Sequence, residues 1–185
     1  MHRLKYILLP ILLCAAGAHA QTTSWVTGIT NTTTNNTFTG CSGVSFTAVS
    51  ATVTYLGRYK VAGNTQTHSL YLLDSSLAVK ATVNVNMAGT AAADGFVYGA
   101  VTPAALTPTA TYYLMSCETS GGDAYYTGTT YTWNTALAIA GLDHYYVGSP
   151  PPTSSTSAGG SAGSVDDPVN FLTGGGSVIM VPRRR

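Results

Sequence analysis

The sequence predicts an all-β protein, a single antiparallel β-sandwich of Greek-key type. Three observations carry that expectation. Apolar and polar residues alternate with period two over several separate segments. Charged residues make up only 8% while tyrosine numbers 12, and this balance, with abundant Thr and Val, suits half-buried strands better than helices. Clusters of Gly, Asn, Asp, Ser and Pro punctuate the alternating segments, and no segment carries an apolar stripe of 3.6-residue period.

Met1–Ala20 reads as a signal peptide. Arg3 and Lys5 supply a positive start, Tyr6–Leu13 an apolar run, and Ala18-His19-Ala20 the small-x-small cleavage pattern. Leu13 is not the small residue that lipid attachment at Cys14 requires, so cleavage is expected before Gln21. The apolar run is far shorter than the roughly 20 residues that span a bilayer. The expectation is therefore a secreted or cell-surface protein with no membrane span in the mature chain. Its sandwich domain occupies residues 21–173 and a flexible tail residues 174–185.

Alternation is clearest where Val79, Ala81, Val83, Val85 and Met87 share one face and Lys80, Thr82, Asn84 and Asn86 the other. That pattern is a half-buried antiparallel strand with one wet side. Similar signals cover 51–61, 68–74, 95–101 and 111–117. Gly63-Asn64, Asp74-Ser75-Ser76, Ala88-Gly89 with Asp94-Gly95, and Pro103–Pro108 separate them as turns. Ala136–Gly141 reads as strand or turn. Ser149–Ser164 is rich in Pro, Ser and Gly and reads as a flexible internal loop. Val165–Leu172 then reads as a last strand, which in a Greek-key sandwich returns to the middle of a sheet.

Charge and cysteines narrow the function. Apart from Arg183–Arg185, the mature chain carries only Arg58, Lys60 and Lys80 against 7 acids. No basic stripe exists for a phosphate backbone, which disfavours nucleic acid as a partner. Cys41 and Cys117 remain after cleavage, either as a disulfide suited to an exported protein or as two small buried thiols. With only His68 and His144 in the mature chain, a multi-histidine zinc site is not available. No EF-type calcium loop is present, and no cofactor or metal is expected. Gly159-Gly160-Ser161-Ala162-Gly163 matches G-x-S-x-G, but its Ser/Gly-rich setting lacks the strand and helix that a nucleophile elbow needs.

Glu118 and Asp123 are the carboxylates to weigh for acid–base work of the glycosidase type. Ser120-Gly121-Gly122-Asp123 reads more naturally as a turn whose Asp bonds backbone amides. Arg58 is expected to pair bidentately with Glu118 and strap two strands together, with sugar recognition by the same pair as its rival. Paired tyrosines at 112/113, 125/126 and 145/146 must send their rings to opposite faces. Tyr126, Tyr131 and Trp133 follow the Gly121-Gly122-Asp123 loop, so outward rings there suit either stacking on a sugar or cross-strand packing.

Several ordered pieces of the chain carry a family likeness. They are Leu56-Gly57-Arg58-Tyr59, Gly63-Asn64, Thr67-His68, Gly95-Phe96-Val97-Tyr98, Thr111-Tyr112-Tyr113, Ser116 with Glu118-Thr119-Ser120-Gly121-Gly122-Asp123, and Asp167-Pro168-Val169-Asn170-Phe171. Together they cover roughly half of the mature chain and resemble a jelly-roll-type domain of exported bacterial proteins. Such domains are of unassigned function and are often joined to glycoside hydrolases or surface proteins. Cys117 stands where that pattern usually has a polar residue other than cysteine, so a Cys41–Cys117 bridge would be particular to this chain. The resemblance implies an accessory or surface-binding module, with polysaccharide or cell-surface glycan as the partner.

The expected function is thus a non-catalytic, carbohydrate-binding module using Tyr126, Trp133 and Asp123 with Arg58 or Glu118. The alternative is a structural, self-associating matrix or surface subunit. A small hydrolase using Glu118 and Asp123 ranks last.

Overall fold

The computed structural model of the protein describes residues 22–30, 33–159 and 164–174. The expected signal peptide, the tail beyond Gly174 and most of the Gly159–Gly163 match lie outside these residues.

The described residues contain no helix. In chain order the strands are β1 (Thr23–Ser24), β2 (Val26–Thr30), β3 (Thr33–Asn35), β4 (Gly40–Ala48) and β5 (Thr52–Tyr59). Then come β6 (Thr67–Asp74), β7 (Val79–Asn86), β8 (Phe96–Ala105), β9 (Thr111–Glu118) and β10 (Tyr125–Thr127). The chain ends with β11 (Thr129–Trp133), β12 (Ala138–Tyr146), β13 (Thr156–Gly159), β14 (Ser164–Val165) and β15 (Val169–Thr173).

A six-stranded sheet has the order β13-β12-β4-β9-β6-β7, and a four-stranded sheet the order β1-β15-β5-β8. A three-stranded sheet, β14-β11-β2, is linked to the second through Trp25, between β1 and β2, and through residues 166–168, between β14 and β15. A small ribbon joins β10 to β3. Every strand pair is antiparallel. The all-β sandwich expected from the alternation is the fold observed.

The core lies where aromatic side chains from different sheets meet. Trp25 stacks on Phe171 of β15 with ring centroids 5.0 Å apart and lies 5.1 Å from Phe46 of β4. Its Nε1 donates to the Ala138 carbonyl at 3.1 Å. Leu56, Leu70, Leu72 and Leu114 complete the same buried cluster. On the other face of the six-stranded sheet Cys41, Leu73 and Met115 form a smaller apolar cluster. Cys41 and Cys117 face each other on β4 and β9 and are joined by a disulfide, which settles the two readings left open by the sequence.

Along β7 and the residue after it, Ala81, Val85 and Met87 are buried and Lys80, Thr82, Asn84 and Asn86 exposed, as the alternation predicts, but Val83 is only half-buried and Val79 at the strand's start is exposed. The last strand, β15, sits inside its sheet between β1 and β5, as a Greek-key return requires. The 149–164 segment departs from expectation. Its Thr156–Gly159 portion forms β13, pairing with β12 opposite Asp143, His144 and Tyr145, and Pro152 is buried. Low-complexity composition does not prevent pairing when a neighbouring strand offers an open edge.

Candidate functional site

Two polar assemblies stand out, one sealed inside the sandwich and one open to solvent. The sealed assembly is built on Arg58 of β5, which has 0% of its surface exposed. Its Nε donates to Glu118 Oε1 at 3.0 Å and its Nη2 to Glu118 Oε2 at 2.9 Å, a bidentate pair. Nη2 also donates to the Ala124 carbonyl at 3.2 Å. Ser116 Oγ donates to Glu118 Oε1 at 2.7 Å, and His68 Nδ1 lies 3.1 Å from Glu118 Oε2. Asp167 Oδ1 approaches Arg58 Nε at 3.4 Å.

One guanidinium thus faces two buried carboxyls. Burial pushes both of them up. For Glu118 the hydrogen bond with His68 and the charge of Arg58 outweigh that penalty and hold the carboxylate well below its usual range. Asp167 has no such surplus. Burial, then the Glu118 charge, push it well above the usual carboxylate value, with Arg58 only partly opposing. Burial and the Glu118 charge thus favour the neutral form of Asp167, while Arg58 and His68 favour the charged form of Glu118.

The turns expected around this cluster serve it. Asp123 accepts the amides of Thr65 at 3.0 Å and Gln66 at 2.8 Å, and its Oδ2 lies 3.3 Å from His68 Nε2. Asn64 Nδ2 donates to the Ala124 carbonyl at 2.7 Å while its Oδ1 accepts the Ala124 amide at 3.2 Å. The Gly63-Asn64 turn and the Gly121-Gly122-Asp123 loop are therefore zipped together by side chains.

Three of the five residues expected to bind ligand, Arg58, Glu118 and Asp123, come together here, but all three are buried and engaged with one another and with backbone. The strap reading of Arg58 and Glu118 is the one the geometry supports. Their polar atoms are already bonded within the protein and have little to offer a ligand. Tyr126 and Trp133 lie elsewhere. Tyr126 is half-buried with its ring 5.7 Å from that of Tyr59. Trp133 is half-buried against the core, and its Nε1 is buried without a hydrogen-bond partner among the described residues.

The open assembly is a cavity of about 390 Å³ between β3, β4, β10, β12 and β13. Asp143 and Asp166 line it together with the rings of Phe38, Tyr125 and Tyr145. Asn35 and Ser42 add further polar groups, and Ala158 of β13 closes one side. Phe38 and Tyr145 meet edge to face with centroids 6.4 Å apart.

Local irregularities aim the two acids. The register of β12 against β4 shifts between Ala140 and Asp143, and its register against β13 shifts between Asp143 and His144. The first bulge is held by Ser45 Oγ, which accepts the Leu142 amide at 3.0 Å and donates to the Leu142 carbonyl at 3.1 Å. Bulges commonly re-aim a side chain beside a site. Asp166 sits in the bend between β14 and β15, its Oδ1 accepting the Gly128 amide at 2.8 Å and its carbonyl accepting Ser42 Oγ at 3.3 Å.

Asp143 is only 7% exposed and its Oδ1 is buried without a partner among the described residues. Burial, then the Asp166 charge, push its carboxyl up to about 7, although the amides of Asp166 and His144 pull the other way. Burial and the charges of Asp167, Asp166 and Glu118 push the Tyr125 hydroxyl up to about 12. Perturbed acids in a cleft of ligand size mark a candidate site.

No family model matches the chain, and no curated protein was found that is similar to it. Sequence reasoning passed over Asp143 and Asp166 because they lie on separate elements and meet only through a bulge and a bend. The available signal was a charged residue inside the otherwise apolar and aromatic run 137–146.

Proposed function

We propose that the protein is a secreted, non-catalytic binding module and that its ligand is a carbohydrate held in the cavity of Asp143 and Asp166. The observation that carries this reading is the composition of that cavity. Three aromatic rings and five polar side chains, those of Asn35, Thr37, Ser42, Asp143 and Asp166, line it on a sandwich scaffold, in a volume within the usual ligand range. Ring faces suit the C–H faces of sugars, and carboxylates and amides suit their hydroxyls. The likeness to jelly-roll domains joined to glycoside hydrolases supports the same ligand class.

Titration of the protein against a panel of oligosaccharides tests the reading. At least one should bind, and Tyr145→Ala should weaken it by about tenfold, in line with the loss of one aromatic contact worth roughly 1.4 kcal/mol. Failure of the whole panel to bind defeats the proposal.

A second reading, self-association, rests on β12. Strand β13 covers only Asp143, His144 and Tyr145 of its outer edge. The uncovered part carries Ile139 at 51% and Leu142 at 38% exposure. Growth of the scattering mass with concentration, abolished by Ile139→Lys, would select this reading.

A further inference from the structure

We infer that the cavity of Asp143 and Asp166 takes a sugar bearing a free amine, so that an ammonium group sits between the two carboxylates. The inference rests on the carbohydrate reading above and narrows it. Both ionisable carboxyls of the cavity are acidic, and none of its lining residues is basic.

Neither His144 nor Arg58 supplies a counter-charge to the cavity. The imidazole of His144 points away, with its ring 4.9 Å from that of Tyr113 and its Nδ1 2.8 Å from Ser155 Oγ. The Arg58 charge is matched by Glu118 and Asp167. The cavity therefore presents uncompensated negative potential, and a wall of low dielectric strengthens it.

Two further observations point to a cation and not merely to a polyol. Asp143 is more than nine-tenths buried at the wall, and one of its oxygens has no donor among the described residues. A buried carboxyl oxygen left in that state is short of a donor, and an ammonium supplies one together with a counter-charge. The same acids are framed by Phe38, Tyr125 and Tyr145, whose ring faces attract an ammonium as well as stacking on a pyranose. A neutral sugar satisfies hydroxyl acceptors but leaves the two carboxylates repelling each other. A uronic or sulfated sugar adds to that repulsion. A sugar ammonium relieves it.

The test is calorimetric titration of the full chain with a glucosamine pentamer, an N-acetylglucosamine pentamer, a glucose pentamer and spermidine. The glucosamine pentamer should bind about tenfold or more tightly than either neutral pentamer, as one charge-assisted contact implies, and binding should weaken as salt is raised. Asp143→Asn and Asp166→Asn should each remove that preference. Asn keeps an oxygen for the backbone amides, and an unchanged melting temperature certifies the fold.

Equal or tighter binding of a neutral pentamer, unaffected by Asp166→Asn, overturns the amine inference and leaves the carbohydrate reading standing. Spermidine binding as tightly as the glucosamine pentamer also overturns it, because charge alone would then suffice. Absence of binding by all three pentamers overturns both readings.

Discussion

At the scale of single residues the molecule is governed by where its few charges lie. Arg58, Glu118 and Asp167 are all buried, so truncating the cation strands a carboxylate in the interior. Arg58→Leu should destabilise the protein by about 3–5 kcal/mol, the usual cost of breaking a buried pair, measured by denaturant unfolding. Asp167→Asn should cost less than about 1 kcal/mol at neutral pH, because burial and the Glu118 charge favour the neutral acid that Asn mimics and Asn tolerates its φ of 59°. The sign of the pH dependence follows from the same assignments. Asp167 and Asp143 have raised folded values against an ordinary 3.8. Each contributes stability that is full below that value and lost as pH rises, for Asp143 through about 7. Glu118 has a lowered folded value against an ordinary 4.5, so its contribution is present above that pH and lost on acidification. Melting temperature should therefore decline from mild acid towards neutrality, and Asp143→Asn should flatten the decline between about pH 4 and pH 7. An unchanged slope in that variant would refute the assignment.

At the scale of elements, burial decides what the sequence reveals. Strand β7 was legible because one face is wet, so its alternation survives. Strand β4 was not, because Gly40–Val44 and Ser45–Phe46 are buried on both faces, and a strand covered on both sides loses its polar signature. Its Gly43 reflects this crowding, since an added Cβ would stand 2.0 Å from the Leu114 carbonyl oxygen. Strand β12 was half legible, its period broken by the bulge that turns Asp143 into the cavity. The strap of Arg58 and Glu118 could be anticipated from the rule that arginine is seldom buried alone. The cavity could not, because no local pattern encodes the meeting of a bulge on β12 with a bend after β14. The staple between β4 and β9 gives the prediction proper to this scale. Cys41 and Cys117 are separated by 76 residues, and opening that loop should cost roughly 4 kcal/mol in the chain-entropy model. Cys41→Ser combined with Cys117→Ser should lower the denaturant midpoint accordingly without altering the strand signal in circular dichroism.

At the scale of the whole molecule, the two ends of the described chain close the fold. Thr23 and Ser24 of β1 pair with Thr173 and Leu172 of β15. The next residue, Trp25, stacks on Phe171 and contacts Phe46 across the sandwich. Asn170 completes the seam, its Oδ1 accepting the Val26 amide at 2.8 Å and its Nδ2 donating to Ser24 Oγ at 2.7 Å. No sheet can therefore dissolve without exposing the shared core, and unfolding should be all-or-none. In a Trp133→Phe background, Trp25 fluorescence and far-ultraviolet circular dichroism should give coincident denaturation curves. An earlier fluorescence transition would mean that β1 and β15 peel away first. The same seam couples the core to the cavity, because Asp166 lies just before β15. Occupancy of the cavity should accordingly raise the stability of the entire molecule, by about 2.7 kcal/mol at a free ligand concentration one hundred times the Kd. Both probes should shift together. A ligand that shifts neither probe at saturating concentration is not binding the folded state in preference to the unfolded chain.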